Sequence, residues 1–403
     1  MKEAFNVMLS LVRNRIFGDE IDVDYVRGYF ESDGIKKLYS LSKLHDLSHL
    51  VGACIDSFSL SGDAEIIGKL KRNYFAAIYR YRGIEHELRS IKALFTEEKI
   101  AYMPLKGSVL RALYPEPWMR TSSDIDILVH GDEFNRFAEI LVKKLGYKEC
   151  TRSFHDVSFM SPGGVHVELH FTLIEDFTYP KINELLSDVW SDAVRDGESY
   201  TYIMSREKMY FYHIAHMMKH FMVSGCGIRF FVDLFLFDTK LEFDREKVNS
   251  MLEYAGLLEY AEKSSKMARI WFLDEERDEF YETYERHIVR GGIYGTTESK
   301  VIIQRERKGG RIGYAFKRIF LPYRTLKEMF PILKKHKWLT PVYEVVRWFR
   351  LLFGGRLKHS MNELNTNASV PDEESRMAAK MLCELGLTAS VARKQKDNGE
   401  KTK

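Results

Sequence analysis

The chain has 403 residues, is 45% hydrophobic and 13% aromatic, and carries a formal charge of only +3. That composition supports roughly two or three compact cores and excludes a disordered chain, while the near-neutral balance excludes the global basic field of a dedicated nucleic-acid binder. Cys54, Cys150, Cys226 and Cys383 are scattered without a Cys-x-x-Cys pair, which argues against a zinc ribbon or disulfide scaffold and fits a reducing compartment. With no leader pattern and no run approaching about 18 apolar residues, a soluble cytoplasmic protein is expected.

Residues 1–97 read as helices: Ala4 to Val12, Val26 to Phe30, Ile35 to Leu60 and Asp63 to Phe95. In the last of these Tyr74, Ile78, Tyr81, Ile84, Leu88 and Ile91 recur at helical spacing. Over 98–180 the pattern turns to strands at 101–105, 124–129, 147–152, 157–160 and 165–171. Between them fall a helix at 108–114 and another from Asp132, its expected N-cap, to Leu145, with Gly146 as C-cap. Ser161-Pro162-Gly163-Gly164 marks a hairpin. This predicts an α+β fold, a mixed sheet with flanking helices embedded in a mostly helical chain.

Region 181–358 returns to helices, and 359–403 holds a short helix after Pro371 and a Lys-rich end. His213, His216 and His220 share one helical face, but no acidic or thiol ligand is paired with them, which favours core or nucleotide-facing histidines over a zinc site. Asp233, inside the apolar run Phe230 to Phe237, needs a partner, and Arg229 at i−4 is the expected one. Gly291 to Gly295 reads as a turn. Residues 311–358 carry a net +10, interleaved with aromatics such as Trp338 and Phe349. Three readings of that stretch are open: helices on an anionic membrane, an RNA-binding face, or a solvated cover over the core.

Chemistry concentrates between Tyr102 and Val129. Lys106-Gly107-Ser108 follows a short strand and precedes a helix, and such a glycine turn permits positive φ and close backbone approach to a phosphate. In Asp124-Ile125-Asp126 the period of a strand puts both carboxylates on one face. Their repulsion and desolvation call for a cation, and Mg²⁺, commonly held by one or two carboxylates plus substrate phosphates, points to a nucleotide as well. Glu168, sharing a strand face with His166 and His170, is the candidate third carboxylate, with Asp156 as runner-up.

Gly107-Ser108, then Asp124-Ile125-Asp126 on an apolar strand, resembles the signature of the DNA polymerase β-like nucleotidyltransferase superfamily. The wider pattern is similar to one bacterial branch, the uncharacterised nucleotidyltransferase family: Leu105-Lys106-Gly107, Arg120, Leu145-Gly146-Tyr147, Glu168 to His170, His213 to His220, Gly227 to Asp233 and Gly291 to Gly295. The resemblance runs to about Arg350. It implies a Mg²⁺-dependent enzyme, with Mn²⁺ as substitute, that moves a nucleoside monophosphate from a nucleoside triphosphate, ATP included, to a small-molecule, sugar or protein acceptor. It further implies that Asp124, Asp126 and Glu168 hold two ions and that Gly107 and Ser108 hold phosphates. Lys106, Arg120, Lys219 and Arg229 are candidate nucleotide-binding cations. No long nucleic acid is expected as partner. A catalytically silent nucleotide-binding module, and a membrane-peripheral protein of envelope polysaccharide synthesis, are the alternatives.

Overall fold

Apolar periodicity at the N-terminus becomes five helices in the computed structural model, which describes residues 1–152, 156–173, 179–223, 225–353 and 357–387. They are α1 (Lys2–Phe17), α2 (Val23–Glu31), α3 (Gly34–Leu44), α4 (Ser48–Ser57) and α5 (Ala64–Glu97). The single helix expected over 35–60 is therefore two. The break falls at Asp46, which takes φ 56°, a conformation that costs a non-glycine residue energy unless its side chain is held. It is held: the Asp46 carboxylate accepts from Thr121 Oγ1 and from Arg229, each at 2.7 Å. Asp63 starts α5 by accepting from the N–H groups of Glu65 and Ile66.

The sheet follows. Its elements are β1 (Tyr102–Pro104), α6 (Gly107–Leu110), β2 (Asp124–Val129), α7 (Phe134–Leu145), β3 (Lys148–Arg152), β4 (Asp156–Met160) and β5 (His166–His170). Strand order is β1-β2-β5-β4-β3, with β2 and β5 parallel and every other pair antiparallel. This is the expected α+β arrangement. Alternation along the strands gives the sheet two unlike faces. Ile125, Ile127, Val167 and Leu169 turn to a core with Ile91 and Phe95 of α5 and Phe137 and Leu141 of α7. The acidic and imidazole side chains take the other face.

Two local expectations are corrected. Asp132 does not cap α7: the turn closed by Glu133 N–H on the His130 carbonyl absorbs it, and the helix starts at Phe134 without a side-chain cap. Gly146 does end that helix, at φ 68°. The helix expected at 108–114 is one α-turn, α6, continued by a 3₁₀ turn at Arg111–Leu113.

Further on come α8 (Pro180–Ser187), the small pair β6 (Val194–Arg195) and β7 (Tyr202–Ile203), α9 (Arg206–Val223), α10 (Ile228–Lys240), α11 (Arg245–Ala255) and α12 (Leu258–Phe272). By packing, Met1–Met217 and Ile228–Glu276 form one unit. Division by contacts thus follows different lines from the division at 97, 180 and 358 suggested by sequence character. Asp233 on α10 is fully buried, and its partner is Arg120, not Arg229. Arg120 Nε reaches it at 2.8 Å and the Tyr114 hydroxyl at 2.7 Å. Arg229, in the first turn of α10, is drawn instead to Asp46.

A second unit comprises Met218–Gly227 and Arg277–Ala389. Its helices are α13 (Glu279–Gly291), α14 (Thr297–Arg305), α15 (Gly310–Ile319), α16 (Tyr323–Met329), α17 (Thr340–Phe353), α18 (Leu357–Ser369) and α19 (Asp372–Glu384). The expected turn at 291–295 is present, and it is pressed against a second glycine segment: a Cβ on Gly227 would meet Ile293 Cα at 2.7 Å. The Lys-rich end from Arg393 lies outside the described residues.

Within this unit the buried imidazole of His287 packs edge-on to Phe221, and its Nε2 has no hydrogen-bond partner among the described residues. Burial, with Arg290 adding to it, drives His287 down to about 4. An unfolded chain binds that proton near 6.5, so stability is fully present above about 6.5 and is expected to fall by up to roughly 3 kcal/mol on acidification towards pH 4. Thermal unfolding against pH should show this loss, and His287→Phe should flatten it. An equally steep profile in the variant would assign the loss to other groups.

Candidate metal and nucleotide site

The parallel register sets Asp124 opposite His166, Asp126 opposite Glu168 and Leu128 opposite His170. Five polar side chains from two adjacent strands therefore converge on one face of the sheet. His170 Nε2 lies 3.0 Å from Asp126 Oδ1 and 3.5 Å from Glu168 Oε2, and His166 Nδ1 lies 3.8 Å from Glu168 Oε1. Two sets of ligand-capable atoms result, Asp124/His166/Glu168 and Asp126/Glu168/His170, each with its atoms within 4.8 Å of one another. Glu168 belongs to both. Asp156 stands on the same face opposite His170, one strand further out, and enters neither set among the described residues.

The turn before β2 closes over this face. Lys106 adopts φ 46°, so the positive φ expected of Gly107 falls on the lysine instead. Its Nζ donates to Asp126 Oδ1 at 2.6 Å. Gly107 is needed for close approach: a Cβ there would meet Ser122 Cβ at 3.1 Å and Ser122 Oγ at 3.3 Å. Arg111, buried and absent from the expected site, ties the turn to β2. Its Nε donates to the Gly107 carbonyl at 2.7 Å and its Nη2 to Ser122 Oγ at 2.8 Å, while Ser122 Oγ donates to the Asp124 carbonyl. The Ser108 N–H is occupied by the Leu105 carbonyl. Its hydroxyl is buried with no partner among the described residues, a condition rare enough in folded proteins to require a reason.

Electrostatics separate the two aspartates. Burial alone would raise Asp126, yet Lys106 and His170 hold it below the usual carboxylate range. Asp124 is raised, first by burial and then by Asp126 and Glu168. Burial opposes charge on His170, but its bonds to Asp126 and Glu168 hold its value above the ordinary imidazole range. Tyr212, a buried α9 residue that sequence reasoning did not single out, is pushed up to about 12: burial dominates, Lys106 opposes, and Asp126 and Glu168 add.

The remaining candidate cations are placed differently. Arg120 is buried against Asp233 and also donates to its neighbour's carbonyl at Thr121. Arg229 spans Asp46 and Thr121. Lys219 belongs to the second unit. Of the three histidines, His213 is a core residue bonded to the Phe230 carbonyl at 3.1 Å, and none of the three joins a ligand set among the described residues. His166 and His170 carried a legible signal, since alternation already aligned them with Glu168. Arg111 and Tyr212 carried none.

A mixed five-stranded sheet with paired carboxylates behind a glycine turn is a core of the nucleotidyltransferase type. Residues 31–273 match the model of a family described as "Uncharacterised nucleotidyltransferase", and the chain belongs to that family. Membership supports transfer of a nucleoside monophosphate as the general activity. The match ends at 273, short of Arg350, so the Gly291 to Gly295 turn and the basic stretch lie beyond it. No curated protein and no solved structure matches the chain.

Proposed function

We propose that the protein is a divalent-metal-dependent nucleotidyltransferase that transfers the nucleoside monophosphate of an NTP to a hydroxyl or phosphate acceptor and releases pyrophosphate. The observation that carries this reading is the β2–β5 register, which sets three carboxylates and two imidazoles in two ligand sets sharing Glu168. The donor chemistry fits divalent cations, and the crowding that raises Asp124 is what a cation would relieve. Two such ions, held by Asp124, Asp126 and Glu168 with His166 and His170, would stabilise charge on the attacking and departing oxygens.

The chain's own residues supply the rest. Ser108 Oγ donates to a phosphate oxygen, and Gly107 lets the triphosphate approach the backbone closely. Lys106 exchanges Asp126 for phosphate. The acceptor oxygen bonds to the α-phosphorus as the bond to the β-bridging oxygen breaks, and Glu168, partly exposed, takes the acceptor's proton. Arg111, Arg120 and Arg229 act as positioning residues, through the turn, Asp233 and Asp46. Tyr212 closes the buried side.

Calorimetry with the four NTPs and either Mg²⁺ or Mn²⁺ tests the reading. At least one NTP should bind only with metal, and more tightly with Mn²⁺, because imidazole donors disfavour Mg²⁺ relative to softer ions. Glu168→Gln should weaken that binding at least tenfold, on the order of 1.4 kcal/mol. Absence of binding to any NTP with either metal would sink the proposal. Binding without any pyrophosphate release, across a panel of hydroxyl and phosphate acceptors, would favour a silent nucleotide-binding module.

A further inference from the structure

Helices α15 and α17 of the second unit are built inside out. On α17, Glu344 and Arg347 face inward: Arg347 Nε donates to Glu344 Oε2 at 2.7 Å, and Glu344 Oε1 accepts from the Leu321 N–H at 2.6 Å. Tyr343 and Val346 pack on the small core of Leu326, Phe330 and Leu333. The opposite stripe, Val342, Val345, Phe349 and Leu352, is apolar, and each member is more than half exposed. Helix α15 repeats the inversion. Tyr314 and Arg318 turn in to Glu363, whereas Ile312, Phe316 and Phe320, four residues apart, are 83%, 61% and 50% exposed. A helix in water normally does the reverse, and contiguous exposed apolar surface marks an interaction site.

Charge says what covers it. Residues 311–358 hold a net +10 while the rest of the chain is net negative, and Glu344, the one acidic side chain described in 311–353, is turned inward. Lys334, Lys335 and Lys337 are exposed beside Trp338, itself 76% exposed. A second copy of the chain would bring an equal positive charge against this face. Single-stranded RNA would use aromatic platforms but gains little from aliphatic stripes such as Ile312, Val342, Val345 and Leu352. Aliphatic side chains that enter the acyl boundary, with lysines and a tryptophan at headgroup level, suit an anionic bilayer. Among the described residues no helix is long and apolar enough to cross a membrane, so the contact is peripheral.

We propose that residues 311–353 dock the protein on an anionic lipid surface, with α15 and α17 lying in the interface. Docking is independent of the nucleotide reading, because neither helix contributes to the candidate site. The test is co-sedimentation of the full chain with vesicles of phosphatidylglycerol and phosphatidylcholine, and of phosphatidylcholine alone, at low and high salt. Binding should require phosphatidylglycerol and weaken with salt. The charge variant Lys334→Gln/Lys335→Gln/Lys337→Gln should lower the partition about a hundredfold. The apolar variant Val345→Ser/Phe349→Ser/Leu352→Ser should lower it at least tenfold, with circular dichroism and NTP binding unchanged. Three results would overturn the proposal: no binding at low salt, binding that the apolar variant leaves intact, or vesicle-independent association, with RNA or a second copy, that the apolar variant abolishes.

Discussion

Asp126→Asn is expected to remove metal-dependent NTP binding and to lower nucleotidyl transfer by about a thousandfold or more, the several kcal/mol that cation-stabilised charge contributes to phosphoryl transfer. The substitution keeps the shape of the side chain and removes its charge at the one carboxylate bonded to both Lys106 and His170. Stability should fall as well. A depressed carboxylate contributes stability that is present above the ordinary carboxylate range and is lost as pH falls through its folded value. The metal-free variant should therefore melt below the wild type at neutral pH, with the gap narrowing in acid. Pyrophosphate release, calorimetry and melting curves read these effects, and unchanged metal-dependent affinity would remove Asp126 from the site.

Asp233→Ala should produce the largest loss of stability, about 3–5 kcal/mol, with a drop in Tm on the order of 10 °C. Arg120 and Asp233 are both buried, and truncating the acid strands a guanidinium and the Tyr114 hydroxyl in a dry interior. Removing both charges together, as Arg120→Met/Asp233→Leu, should recover much of the loss. A cost below about 1 kcal/mol for Asp233→Ala would mean that water reaches the pair. Because Arg120 also approaches the Gly107 turn, the alanine variant should weaken NTP binding in addition to unfolding at lower temperature.

Local pattern and distant pairing were not equally legible. All five strands were legible as segments, but alternation was explicit only over 124–129 and 165–171, where it already put Asp124 with Asp126 and His166 with Glu168 and His170. What alternation cannot specify is which strands become neighbours. The parallel β2–β5 pair joins segments separated by α7, β3 and β4, and only that pairing merges two half-sites into one. Ion pairs failed for a related reason. Arg229 was the obvious mate for Asp233 at helical spacing, yet Arg120, 113 positions away, takes it, since tertiary packing rather than helix spacing fixes the buried charges. The break at Asp46 was hidden because leucines recur every three residues from Leu38 to Leu50, and it became intelligible only through its bonds to Thr121 and Arg229.

The bond between Lys106 and Asp126 has a consequence for assembly. In zinc fingers the ion is part of the folding reaction, and the apo chain is unfolded. Here a built-in cation already occupies the place beside the most buried of the three site carboxylates, so the finished geometry does not wait for metal. Under the proposed mechanism an arriving ion must displace a lysine, which makes free metal a weak ligand. A triphosphate changes that balance by offering the displaced ammonium a new anion. Metal and nucleotide should thus load as one cooperative event, and an empty enzyme in the cell would be stable, folded and ready for use.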